Sequence, residues 1–110
     1  MLTVELSFAT KHLRTVCTDE SVAARELGAD VAAMLKGRLA DFRAASAVHE
    51  LVAGRPRTSD DAEPRLVVEL VAGCTIVCRP THAVLPRTDA MIDWSRVRRL
   101  HVLAVEQEGT

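Results

Sequence analysis

The sequence predicts an α+β fold, in which an N-terminal strand and two to three helices precede a three-stranded antiparallel sheet packed against the helices. Three segments support this prediction. Arg65–Arg79 contains two runs rich in Val and Ile on either side of a glycine, which is typical of a β-hairpin. Ala29–Ala47 has the apolar spacing of an amphipathic helix, and Leu100–Glu106 is typical of a final strand. We expect the helices to cover one face of the sheet and a ligand to bind on the other.

The first segment of the chain, Leu2–Phe8, alternates apolar and polar residues and therefore predicts a half-buried strand. A first helix is expected to begin near Thr10, because a threonine side chain can accept a hydrogen bond from the first turn of a helix. Either Thr18 or Asp19 can cap a second short helix through Val22–Leu27 in the same way.

The helix predicted over Ala29–Ala47 follows Gly28, a residue typical of the end of the preceding helix. Its apolar stripe consists of Val31, Met34 or Leu35, Leu39 and Phe42. Lys36 and Arg43 are seven residues apart, so they are expected on one exposed face. That face can bind a partner or remain solvated.

Two polar loops flank the predicted hairpin. Gly54–Pro64 contains two prolines and an Asp pair, so we expect a solvated loop rather than a carboxylate site. The hairpin strands themselves are expected at Leu66–Val71 and Thr75–Cys78. Pro80–Ala90 is the second loop, and Ile92–Val97 predicts a single helical turn before the final strand.

The final strand is expected to place His101 and Arg99 on the open face of the sheet. Strict alternation predicts two sets of side chains on opposite faces: Leu100, Val102 and Ala104 on one, and Arg99, His101, Leu103 and Val105 on the other. A histidine beside an arginine suits acid–base and phosphate chemistry. A surface histidine without a chemical role is the alternative.

Length and charge limit the classes of protein to consider. The 110 residues, 48% of them apolar, predict one domain over 1–110 with a single core. There is no apolar run long enough for a bilayer and no pattern of a signal peptide at the start, so we expect a cytoplasmic protein without a membrane partner. The net charge of −1 argues against a generic nucleic-acid binder, although 12 of the 14 basic residues are arginines, which suit phosphate.

Cysteine and histidine spacing predicts no metal site. Cys74 and Cys78 are four residues apart on a predicted strand, so their Cα atoms are expected about 13 Å apart, too far for a disulfide or a shared metal ion. With Cys17, they are expected to act as small buried apolar residues. The four histidines lack the spacing of metal ligands, and no cofactor motif is present, so we expect neither a metal nor a cofactor.

Four segments together resemble a known family: Lys11–Cys17, Ala29–Ala45, Val48–Leu51 and Ile92–Val97. In apolar spacing and in several helix residues, the chain resembles the RelE/ParE superfamily of bacterial toxins, and within it the HigB-like "killer protein" group of plasmid maintenance systems. The resemblance extends over nearly the whole chain. It implies a RelE-like fold and a toxin that is held inactive by a small helix-turn-helix antitoxin.

The resemblance also implies an activity, the cleavage of messenger RNA on the ribosome without a metal. In that chemistry a ribose 2′-hydroxyl attacks the adjacent phosphate, so the site needs a base, an acid and cations. Carried over to this sequence, the implied catalytic residues are Arg65, Arg79, Arg99 and His101. The implied RNA-binding residues are Lys36, Arg43, Arg55 and Arg57.

A second hypothesis has the same fold without catalysis. The place of the family's basic stretch before the hairpin is occupied here by Thr58–Glu63, which includes three acidic residues, and the chain contains no tyrosine. A binding module that acts through protein partners, either an antitoxin or a topoisomerase-type target, fits these differences. An unrelated small α+β protein is the remaining alternative.

Overall fold

The structure, a computed structural model that describes residues 3–60, 63–71, 73–89 and 91–107, is an α+β fold of three helices and a mixed sheet. The helices are α1 Lys11–Thr18, α2 Glu20–Leu27 and α3 Ala29–Ala44. The strands are β1 Glu5–Phe8, β2 Arg57–Ser59, β3 Arg65–Val71, β4 Cys74–Pro80, β5 Arg87–Thr88, β6 Met91–Ile92 and β7 Arg99–Gln107. Two short 3₁₀ turns span Val48–Glu50 and Trp94–Arg96. Of the predicted segments, Leu2, Asp61, Ala62, Ala72 and Ala90 lie outside the described residues.

The caps of the first two helices agree with the sequence. The Thr10 hydroxyl oxygen accepts a hydrogen bond from the Leu13 N–H at 3.0 Å and begins α1. Of the two candidates for the second cap, Asp19 is the one used, and its carboxylate accepts from the backbone of Ser21 and Val22. These contacts satisfy N–H groups that have no partner inside the helix.

The helix α3 ends three residues earlier than the sequence predicts. Ala45 is extended (φ −76°, ψ 145°), and its carbonyl accepts a hydrogen bond from the Val4 N–H at 3.0 Å. Pairing with the chain beside β1 therefore ends a helix that alanine propensity alone would continue. The buried stripe of α3 consists of Leu35, Leu39 and Phe42, and Val31, which was also predicted, is partly buried against the core.

The sheet is larger than predicted and it is mixed. Its strand order is β1-β7-β4-β3-β2, with β1 parallel to β7 and the other neighbours antiparallel. The sequence predicts three antiparallel strands, and the difference arises at both edges. The segment Arg57–Ser59 falls inside the predicted loop Gly54–Pro64 but pairs with β3, and the N-terminal strand joins the same sheet. The loop Pro80–Ala90 likewise contributes to a small separate ribbon of β5 and β6.

The helices cover one face of the sheet and form the core with it. Side chains from the three central strands are buried on that face: Leu66, Val68, Leu70, Cys74, Ile76, Cys78, Leu100 and Val102. They form one cluster with the stripe of α3. Cys74 and Cys78 are buried free thiols, as expected, and burial raises the pKa of Cys78 to about 12.

A bulge changes the faces of the last strand. The pairing of β7 with β4 shifts between Val102 and Ala104, so Leu103 has no directly opposed residue. Beyond it, Val105 lies opposite buried Ile76 and packs against the core. The predicted alternation, with Ala104 on the core face and Val105 on the open face, is therefore wrong beyond the bulge.

No helix among the described residues combines the length and the apolarity that crossing a bilayer requires. The longest, α3, has 16 residues and carries charged side chains along its exposed side. The sheet face that points away from the helices is not covered by them and carries the alternate side chains of β3, β4 and β7.

Candidate functional site

Arg79 and His101 are direct neighbours on the open face of the sheet. The antiparallel pairing of β4 with β7 places the two residues opposite each other. Their flanking residues Cys78, Pro80, Leu100 and Val102 are buried in the core, so the side chains of Arg79 and His101 point the other way. A cation and an imidazole are thereby adjacent on two interior strands of the sheet.

A serine from the edge strand contacts the same histidine. The parallel pairing of β1 with β7 sets Ser7 opposite His101, and Ser7 Oγ lies 2.7 Å from His101 Nδ1. No sequence pattern indicated a role for Ser7. Its only local signal is a polar position in an alternating strand, because the contact joins residues 94 positions apart.

His101 favours the neutral form. Its pKa lies below the usual value, first because partial burial disfavours the charged ring and second because the Arg79 charge repels a proton. A neutral imidazole at neutral pH can accept a proton from a ligand. Its neighbour Arg79 can at the same time bind an anion.

A cavity of about 710 Å³ lies beside this pair and contains two arginines. Leu66 opposes Cys78 in the hairpin, so the residues that flank them, Arg65 and Arg79, lie on neighbouring strands and both line the cavity. The remaining lining residues are partly apolar: Glu63, Pro64, Pro80, Thr81, His82, Ala83, Leu85 and Leu103. Its volume is within the range of small-ligand sites, and its lining offers cations for an anion and apolar walls for a flat group.

His82 lines this cavity, whereas His101 lies beside it next to Arg79, and no sequence pattern had indicated a role for His82. Its Nε2 accepts hydrogen bonds from the backbone N–H groups of Arg98 and Arg99, at 2.8 and 3.2 Å. Its pKa is lowered by burial and then by the charges of Arg99 and Arg98. A position between two loop prolines was the only signal in the sequence, and it does not indicate a contact with β7.

The other two predicted catalytic arginines are close by and are partly neutralised. Arg65 forms an ion pair with Glu63, with 3.2 Å between nitrogen and oxygen. Arg99, two residues before His101 on the same strand face, lies 3.5 Å from the Glu5 carboxylate. The structure thus places Arg65, Arg79, Arg99 and His101 on one side of the sheet.

The four predicted RNA-binding residues are divided between two sides of the molecule. Arg57 lies on β2 and lines a hollow on the open face, and Arg55 is exposed in the loop before it. Lys36 and Arg43 line a different hollow, within the helical layer, where Lys36 Nζ lies 2.5 Å from Glu20 Oε1. Because the core face of the sheet lies beneath that layer, Lys36 and Arg43 are not brought together with Arg79.

Within the four described ranges of the chain, no three His, Cys, Asp or Glu side chains come together in a way that could hold a metal ion. His101, for example, has the hydroxyl of Ser7 and the cation of Arg79 as its neighbours. A cationic neighbour suits a phosphate better than it suits a metal ion.

Comparison with models of protein families, with curated proteins and with solved structures finds no match for this chain. The candidate site is the part of the open sheet face around Arg79 and His101. It combines a neutral histidine, a serine hydroxyl and arginines beside a cavity, which is an arrangement suited to binding a phosphate and moving a proton.

Proposed function

We propose that the protein is the toxin component of a type II toxin–antitoxin system and acts as a metal-independent messenger RNA endoribonuclease on the ribosome. One observation carries the proposal: Arg79 is directly opposed to His101 on the open sheet face, beside a cavity that it shares with Arg65. The antiparallel run β3-β4-β7 with helices on the other face supports a RelE-like variant of the α+β fold.

In the proposed cleavage of RNA, the histidine and the arginines of the open face have different roles. His101 takes the proton of a ribose 2′-hydroxyl, and the freed oxygen forms a bond to the adjacent phosphorus. The bond from phosphorus to the 5′ oxygen breaks, and that oxygen takes a proton from water at the open site. The hydroxide so formed takes the proton that His101 accepted, which restores the neutral ring. Arg79 and Arg65 stabilise the negative charge that develops on the phosphoryl oxygens, and Arg99 extends this cationic surface along β7.

The cavity suits one nucleotide of the RNA. A phosphate can be held by Arg65 and Arg79, while a base packs against the apolar lining that Leu85 and Leu103 provide. Arg55 and Arg57 contact the RNA backbone beyond the hairpin, although Glu69 and Glu106 line the same hollow as Arg57. Such contacts bind phosphate independently of sequence.

The proposed partners are a helix-turn-helix antitoxin, the ribosome and messenger RNA, in the cytoplasm. Lys36 and Arg43 lie on the helical side. Their part in RNA binding therefore requires contact with ribosomal RNA at a second surface, away from the cleaved phosphate. An acidic antitoxin segment is the other ligand that these two cations suit.

A second candidate function is a binding module of the same fold that acts through protein partners. The ion pair between Glu63 and Arg65 favours it, because the carboxylate competes with a phosphate for this arginine. The segment that carries Glu63 is acidic, and Asp60 in the same segment accepts a hydrogen bond from Trp94. An antitoxin or a topoisomerase-type target is the partner for this candidate.

The test is cleavage of a defined messenger RNA by the purified protein on programmed ribosomes, with the cut sites mapped by primer extension. We expect the wild type to cleave. The variants His101→Ala and Arg79→Ala should each cleave at least about 100-fold more slowly, because the first removes the proton acceptor and the second removes a cation that stabilises the phosphoryl charge. Arg14→Ala is the matched control, because it removes an exposed arginine from α1 in the helical layer.

Growth arrest on expression gives the same comparison in cells. A wild type that neither cleaves RNA nor arrests growth refutes the nuclease proposal. If that protein copurifies with the product of an adjacent helix-turn-helix gene, the binding module is the better conclusion. Cleavage that survives both Arg79→Ala and His101→Ala would place the activity elsewhere on the chain.

A further inference from the structure

The contact between Ser7 and His101 is fixed by the backbone around it. The two residues are directly opposed in the parallel pairing of β1 with β7, and the next hydrogen bond along this pair runs from the Ala9 N–H to the Val102 carbonyl at 2.9 Å. Ser7 itself is exposed and makes no contribution to the core. Its side chain is therefore available for the contact with the ring at 2.7 Å.

This contact determines which ring nitrogen faces a ligand. A neutral imidazole has one N–H donor and one acceptor nitrogen, and Nδ1 of His101 is already engaged by Ser7. Among the described residues, no hydrogen bond reaches Nε2 of His101. Nε2 is therefore the ring nitrogen that can exchange a proton with a ligand on the open face.

The charge of Arg79 favours one of the two tautomers. A guanidinium carries only donors, so it is repelled by a ring N–H and attracted to a ring lone pair. A serine hydroxyl can accept as readily as it donates. When Ser7 accepts, the hydrogen lies on Nδ1, and the lone pair on Nε2 is free to face a cation or a donor on the open face.

We propose that Ser7 is a positioning residue, whose hydroxyl accepts the Nδ1–H of His101 and so leaves the lone pair on Nε2 to take a proton from a ligand bound at Arg79. The catalytic part of this inference rests on the proposed nuclease function. The tautomer does not, because it is argued from the contacts of Ser7 and Arg79 with His101 and not from any reaction.

The charged groups around His101 come from three elements. On β1, the Glu5 carboxylate is paired with Arg99. On β4, Arg79 opposes the ring, and from the loop after β4, His82 is held by the backbone N–H of Arg99. The cation closest in register is therefore Arg79, and it acts together with burial to keep the ring neutral.

The test measures the tautomer directly in ¹⁵N-labelled protein at neutral pH, from the long-range couplings between the ring carbons' protons and the two ring nitrogens. We expect the signals of wild-type His101 to show a protonated Nδ1 and an unprotonated Nε2. Ser7→Ala is expected to move the population toward the other tautomer, and Ser7→Thr to restore the wild-type pattern. Thr75→Val, which removes a hydroxyl from the same sheet face, is the control and leaves it unchanged.

Two results would overturn the inference. The first is a wild-type His101 protonated on Nε2, and the second is a Ser7→Ala variant whose tautomer does not change. Because Ser7 is exposed on a strand edge, we expect Ser7→Ala to fold, and its circular dichroism spectrum checks this.

RNA cleavage separates this inference from the function on which it rests. Ser7→Ala is expected to lower kcat by about 10- to 100-fold with KM unchanged, to shift the acidic limb of the pH profile, and to be rescued by Ser7→Thr. If the tautomer changes as expected but the wild type does not cleave RNA, the positioning role holds and the nuclease proposal fails. If the wild type cleaves and Ser7→Ala matches it in kcat, pH profile and tautomer, the positioning role fails alone.

Discussion

Gly54 is the position where a single methyl group should destabilise the fold most clearly. Its φ is +86°, and a Cβ added there would lie 2.5 Å from Val68 Cγ1, 2.6 Å from the Glu69 carbonyl oxygen and 2.7 Å from Arg38 Nε. These neighbours cannot easily move. Val68 is fully buried, and the Glu69 peptide is bonded on both sides, by its N–H to the Gly54 carbonyl at 2.6 Å and by its carbonyl to Arg38 at 3.2 Å.

The expected magnitude for Gly54→Ala is the sum of two effects. A non-glycine residue at positive φ is destabilised by about 1–3 kcal/mol, and overpacking a tight site adds about 1–3 kcal/mol, so we expect a loss of about 2–6 kcal/mol in the free energy of unfolding. Gly28 provides the matched control. Its φ is +89°, but a Cβ there would meet nothing within 4 Å, so Gly28→Ala should lose only about 1–3 kcal/mol from backbone strain.

Substitution of Gly37 by alanine is expected to change the free energy of unfolding in the opposite direction. Gly37 lies in the interior of α3 with nothing within 4 Å of an added Cβ, so Gly37→Ala should stabilise the protein by about 0.5–1 kcal/mol. Urea unfolding followed by circular dichroism gives the three free energies. If Gly54→Ala is no more destabilising than Gly28→Ala, the contact of Gly54 with β3 does not constrain the fold as described.

Three further predictions concern single side chains. Hydrogen bonds from Ser95 and Arg96 lower the pKa of Asp93 to about 2, so its stabilisation is complete above about pH 4 and is lost as the pH falls toward about 2; Asp93→Asn should flatten the acid-unfolding curve over that interval. Burial raises the pKa of Cys17 to about 11 and of Cys78 to about 12, so a thiol reagent at pH 8 should modify them slowly in the folded protein and rapidly in urea. Trp94, the one tryptophan, donates to Asp60 at 2.8 Å, so Asp60→Ala should shift its fluorescence emission more than Asp60→Asn does.

Each of these three has a result that would contradict it. Identical acid unfolding of the wild type and Asp93→Asn would mean that the hydrogen bonds of this carboxylate contribute nothing to stability. Fast modification of Cys78 in the native protein would mean that the core opens readily. Equal emission from the two Asp60 variants would mean that the indole hydrogen bond is absent in solution.

The parts of the fold that sequence predicted are those encoded by local patterns. The hairpin follows from β-branched runs on either side of a turn, and the caps Thr10 and Asp19 follow from side-chain chemistry within one helical turn. The strand Arg57–Ser59 was not predicted because it contains no apolar residue and forms only by pairing with β3. The bulge at Leu103 was missed because it depends on the partner strand rather than on β7 alone.

The residues of the candidate site likewise include some that the sequence predicted and some that it did not. His101 and Arg99 share a strand face, which alternation alone predicts, and Arg79 was suggested by a family resemblance that placed a cation near the hairpin. Ser7 and His82 reach this region through contacts that no spacing rule encodes, since each depends on how the distant strand β7 is placed.

The position of β7 has a consequence for how the chain matures. This strand lies between β1 and β4, so residues 5–8 have no sheet partner until residues 99–102 have been synthesised. Closing such a separation is slow compared with forming the hairpin. Until synthesis has passed these residues, β1 therefore lacks its sheet partner, and the contact of Ser7 with His101 cannot form.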